Sequence, residues 1–171
     1  MNPEPRKKKP DFSLAHRDET MAGLVSTTDH RTLAVWATDC AERVLPFFEE
    51  NCPGDLRPRD ALTTLRVWIA TGEFHMAVIR GASLASHAAA REVGKNNAAR
   101  SAARAAGQAV ATAHVRTHAP GAALYAQQAV FRAADAAGAD AAVARERDWQ
   151  VRHLRELTAK KPGNGSHQLP D

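Results

Sequence analysis

The stretch ATAHVRTHAPGAALYAQQAV, residues 111–130, holds His114 and His118 four positions apart. Two imidazoles at that spacing share one face of a helix and supply half of a tetrahedral zinc or other transition-metal site. The local sequence does not supply the other half. No glutamate follows the first histidine as in a zinc-peptidase helix and no CxxC pair occurs, so His87, Asp39 or Cys40 complete a site only if folding gathers them. In the competing reading His118 is a helix-end residue favoured by the helix dipole and His114 packs or bonds to a neighbouring helix. The sequence favours that second reading. His87, His114 and His118 remain metal candidates in the alternative, and no cofactor is expected.

Arg100 and Arg104, one helical turn apart, can clamp a carboxylate or phosphate through forked guanidinium bonds. Against this, surface arginines more often stay solvated or pair with an acid, here Asp39, Glu42 or Glu92. Asp39 and Arg43 fall on the inner half of the first helix's charged border, and with His114 they are the candidates for polar positions in the core. Catalytic motifs are lacking: no GxSxG elbow raises a serine nucleophile, and no GxxxxGK[ST] loop cradles phosphates. Near the C-terminus Arg145, Arg147, Arg152 and Arg155 alternate with Glu146, Asp148 and Glu156. That is a solvated face, not a DNA-reading helix.

The elements that must position these residues are helices. Alanine fills 36 of the 171 positions and aromatics only 5%, so no window is dominated by the β-branched and aromatic residues that strands favour. The net charge of +4 resides in the ends: Arg6, Lys7, Lys8 and Lys9 against Glu4, and Lys160 and Lys161 against Asp171. The body between them is close to neutral, and no nucleic-acid partner is expected. No apolar run approaches the length of a membrane span and none follows the charged start, which implies a cytoplasmic protein without a membrane partner. Cys40 and Cys52 are twelve residues apart, about 15–18 Å along a helix, too far to bridge.

Residues 1–26 read as a disordered basic tail, 27–159 as one helical domain and 160–171 as a second disordered tail. The expected fold is all-α, a compact bundle of five to six alanine-rich helices. The first starts at Thr28 or Asp29, either able to cap it, and runs to about Asn51 with Pro46 kinking it or ending its regular part. The second follows CPGD, with Pro58 in its first turn and Gly72 as its stop. A third spans about His75–Val93, a fourth about Asn97–Ala119, a fifth starts at Gly121 and ends at Gly138, and a sixth follows from Ala139. Gly107 inside the fourth costs about 1 kcal/mol against alanine, which suggests a close neighbour there.

DHRTLAVWATDCAERVLPFFEE, then GDLRPRDALTTLRVW, SHAAARE and AARAAGQAVATAHVRTHAPGAALYAQQAV, together resemble the immunity-five-like family of bacterial immunity proteins of polymorphic-toxin systems. The likeness runs from about Asp29 to Arg155, and WAxDCAERVLP, RPR and ATAHV are its most specific pieces. It departs from the usual pattern in GEFHMAVIRGASLASH, where the third helix carries bulkier residues than the typical alanine run. The resemblance implies a cytoplasmic helical protein that neutralises a cognate protein toxin by direct binding, without catalysis. For such a contact the most acidic local patch is Glu49, Glu50 and Asp55, with Arg100 and Arg104 as basic candidates. The alternatives are a helical metal-binding protein or enzyme using His87, His114 and His118, or another kind of protein-interaction module. Oligomeric state stays open.

Overall fold

The computed structural model describes residues 11–15 and 18–160, and every regular element among them is helical. Seven α-helices follow in order: α1 (Glu19–Thr27), α2 (His30–Asn51), α3 (Arg57–Thr71), α4 (Met76–Glu92), α5 (Ala98–Ala111), α6 (Ala119–Ala133) and α7 (Ala139–Ala159). A single 3-10 turn, Arg116–His118, leads into α6. The bundle therefore has one helix more than the five to six expected. The basic run at residues 6–9 and the tail from residue 161 lie outside the described residues.

The added helix is α1, which falls inside the stretch read as an N-terminal tail. Nine residues are too few to hold a helix alone in water. Its support comes from the rest of the molecule. Asp18 accepts a hydrogen bond from the Met21 amide at 3.1 Å and pairs with Arg147 of α7, while Met21 is buried. At the other end the Arg116 guanidinium donates to the carbonyls of Val25 (2.8 Å) and Thr28 (2.7 Å).

Elsewhere local signals set the boundaries. Asp29 caps α2 through the Thr32 amide (3.1 Å), and Asn97 caps α5 through the Ala99 amide (2.8 Å). Pro58 sits in the first turn of α3, and Gly72 closes that helix in the left-handed region at φ 72°. Pro46 does not end α2, which continues to Asn51.

Helix α5 is the centre, packed against α2, α3, α4 and α6. Its small residues let backbones approach closely. On α4, Ser83 Oγ donates to the Gly107 carbonyl (2.9 Å) and Ser86 Oγ to that of Ala103 (2.7 Å). A Cβ built on Gly107 would stand 2.8 Å from the His87 ring. The close neighbour that Gly107 implied is thus an imidazole of α4.

Larger side chains fill the other side of the core: Trp36, Phe48, Leu62, Leu65 and Leu154 are fully buried. Trp36 Nε1 donates to the Gln150 carbonyl at 2.9 Å, tying α2 to α7. Burial pushes the Cys40 thiol well above its ordinary pKa, and both cysteines are free thiols.

Candidate functional site

The acidic patch is the first sequence candidate the fold rearranges. Glu49 pairs with Arg59, and Asp55 with Arg57. Arg57 also reaches Glu92 of α4 at 2.6 Å. These guanidiniums, mainly through hydrogen bonds, hold Glu49, Asp55 and Glu92 below the ordinary carboxylate range. Of the three patch residues only Glu50 is fully solvent-facing. Most of the patch's charge is paired inside the chain.

The histidines need a larger correction, because α5 stops at Ala111 and His114 and His118 do not share a helix face. From Thr112 the amides bond three residues back instead of four, to Ala109, Val110 and Ala111, and Val115 turns extended at φ −138°. Two distant side chains favour this ending. His30 Nε2 takes the Thr112 carbonyl, and Arg116 must turn away to reach the end of α1. His114 is left exposed, stacked on Phe74 with ring centroids 6.2 Å apart. His118 stands at the start of α6, with Nδ1 donating to Gln108 Oε1 at 2.8 Å.

His87 lies half-buried over Gly107, and its Nδ1 meets no protein partner among the described residues. Burial, followed by the charges of Arg104, Arg91 and His118, lowers its pKa and keeps it neutral at pH 7. Among the described residues no three His, Cys, Asp or Glu side chains gather in an arrangement able to hold a metal ion. Asp39 bonds His153 of α7 (2.7 Å), and Cys40 is enclosed in the core.

Arg43 lies at the edge of that core. Its guanidinium grips the nearly buried Glu146 with three contacts of 3.0–3.2 Å and covers the Trp149 ring at 3.9 Å. Gln150 bonds the same carboxylate (3.3 Å) and the Ala123 carbonyl (3.0 Å), and accepts from Gln127 (2.8 Å). The sequence had placed Glu146 among solvated border charges. Its partner is 103 residues away, so no local spacing could reveal the pair.

Arg100 and Arg104 are open to solvent in a particular way. Along α5 from Ala99 onward, only Arg100, Arg104, Gln108 and Ala111 are not buried. This stripe is the floor of a trough between α4 and α6. Arg100 donates to the Val93 carbonyl (3.4 Å), and Arg104 lies 5.9 Å from the Tyr125 ring centre. Arg132 of α6, which the sequence reading passed over, donates to Ser101 Oγ at 2.8 Å. Burial, then the proximity of Arg100 and Arg104, lowers its pKa.

Among the described residues none of these three arginines has a carboxylate within ion-pair distance. The acids expected to pair with them are occupied elsewhere: Asp39 by His153, Glu42 by Arg66 and Glu92 by Arg57.

The trough ends in a groove of about 370 Å³ between α4 and the turn after α5, lined by Met76, Ile79, Leu84, Arg80, His114 and His118 among others. A hollow of about 620 Å³ lies between α1 and α6. It is bordered by Met21, Val25 and Leu124, and its one guanidinium, Arg116, is committed to the end of α1. The described residues thus offer surfaces for binding and no paired nucleophile and base.

Residues 23–157 match the family described as "Imm-5 like putative immunity protein". The chain belongs to this family. The matched span takes in α2 to α6 completely, and so the whole Imm-5 like trough, its histidine corner and its arginines. No curated protein and no solved structure matches the chain. No helix among the described residues of this Imm-5 like protein is long and apolar enough to cross a membrane.

Proposed function

We propose that this Imm-5 like chain neutralises a protein toxin in the cytoplasm by binding it directly, with no catalysis of its own. The family match over residues 23–157 carries this reading. Physical support comes from the scaffold. Seven helices locked by a central small-residue helix and by buried polar bonds present a preorganised surface, and little ordering entropy is then lost on binding.

Growth rescue tests the reading. Each C-terminal domain of a large protein encoded beside this gene is expressed with and without the chain. Rescue from one toxic domain, with a complex that co-purifies in equal stoichiometry, is the expected result. Toxicity that the chain never relieves would remove it.

A further inference from the structure

Helix α4 begins with apolar side chains that the core does not use. Ile79 is buried, whereas Phe74 and Met76 are 42% exposed, Leu84 55% and Val78 56%. These are four of the seven large hydrophobic residues exposed among the described residues. Single exposed hydrophobics are ordinary, but several gathered around a groove mark an interface. Met76 and Leu84 line the groove beside His114 and His118, and Val78 lines an adjoining hollow with Val67 and Trp68; Ile79 borders both.

The charge around this apolar strip is mostly positive; Glu73 lines the adjoining hollow with Val78, and the groove itself carries no acid. Arg80, His114 and His118 are the groove's titratable lining, without a carboxylate. Ala111 and the Gln108–His118 bond connect it to the Arg100–Arg104 stripe. Between Glu73 and Asp135 inclusive the chain has seven Arg and Lys against three acids, Glu73, Glu92 and Asp135, and Arg57 holds Glu92. A face of this kind repels a second copy of itself and favours an oppositely charged protein surface, because charge complementarity speeds encounter and rejects wrong partners. The apolar centre suits a protein side chain better than a nucleic-acid backbone, whose phosphates gain nothing from Leu84 or Met76.

We infer that the α4–α5 face is where the toxin docks, presenting an apolar side chain to the groove and carboxylates to Arg80, Arg100 and Arg104. The inference rests on the immunity reading and adds to it the location and polarity of the contact: the partner's surface is acidic and this chain's is basic.

The test uses the toxin domain that passes the rescue assay, made catalytically inactive, in calorimetric titrations against the full chain. Leu84→Asp and Arg104→Glu each raise Kd by about tenfold or more, and wild-type affinity falls as salt rises. Arg152→Glu, on exposed α7, changes Kd less than about twofold. Both test residues lie outside the core, and unchanged helical circular dichroism and Tm show that the variants fold.

Wild-type affinity in both variants overturns the docking face while immunity stands. If Leu84→Asp instead turns a dimer into a monomer at unchanged toxin affinity, the face belongs to a second copy and the inference fails. If the wild-type chain neutralises none of the neighbouring domains, the immunity reading falls and this inference with it.

Discussion

The two sides of this bundle treat charge in opposite ways. Across α2, α3 and α7, arginines and acids find each other: Arg43 with Glu146, Arg57 with Asp55, Arg59 with Glu49, Arg66 with Glu42, and His153 with Asp39. Across α4, α5 and α6, Arg100, Arg104 and Arg132 are partly exposed without an ion-paired acid among the described residues, and burial and its neighbours lower the pKa of Arg132. Charge on the first side joins helices to one another. On the second side Arg100 and Arg132 bond a carbonyl and a hydroxyl, and no acid pairs with them among the described residues. Among the described residues, paired charge lies on one side and arginines without an ion-paired acid on the other.

The largest effect that would break this contrast is expected at Arg43. Glu146 is 4% exposed and the Arg43 side chain 41%, so removing the arginine leaves a buried carboxylate without its countercharge and with the Gln150 amide beside it, whereas removing the acid releases a guanidinium that water can reach. Arg43→Ala should cost about 3 kcal/mol in urea denaturation and Glu146→Gln distinctly less. Equal losses would mean that the pair is not asymmetric in burial.

On the small-residue side the expected effect is about 1 kcal/mol and depends on context. Gly107→Ala improves helix propensity but drives a methyl group against the His87 ring, and the two effects oppose each other. In a His87→Ala background the obstruction is gone. There Gly107→Ala should stabilise by up to about 1 kcal/mol, and a double-mutant cycle reads the difference directly.

A smaller, pH-dependent effect follows from His87. Its pKa in the folded chain is lowered, by burial first and then by Arg104, Arg91 and His118. As pH falls through about 6.5, the unfolded imidazole takes up a proton that the folded one resists, so stability declines toward the lower folded pKa and is level above. His87→Gln should flatten that decline between about pH 7 and 5. Part of the slope should survive, because the His118 pKa is lowered as well, by burial and by His114. A wild-type chain whose denaturation midpoint does not move over this range would contradict the assignment.

The smallest effect sharpens the comparison. Arg104→Gln removes a cation with no ion-paired acid among the described residues, and its Tm should stay within a degree or two of wild type, equivalent to less than about 0.5 kcal/mol. A clear loss would show that the basic trough does structural work after all.

Much of the fold was legible locally. Asp29, Pro58 and Gly72 mark helix ends by their own chemistry, and the three- and four-residue spacing of Leu33, Trp36, Cys40 and Val44 places them in the core, where they lie. The candidate site was less legible. That region's scarcity of acids and the bulk of FHMAVI were visible in the letters, but exposure was not: the same apolar residues at the same spacing equally describe a buried helix face.

The helical class, the close neighbour at Gly107 and the sum of charge on each segment follow from the amino-acid sequence, because propensity, capping and periodicity act within a few residues. Tertiary structure decided the rest. It ended α5 at Ala111 where His30 and Arg116 claim the chain, held α1 as a helix, and sent Arg43 to Glu146 across 103 residues. Among the described residues it also left the arginines of α5 without an ion-paired acid. These outcomes depend on which surfaces meet, and a meeting between segments distant along the chain leaves no periodic trace in either of them.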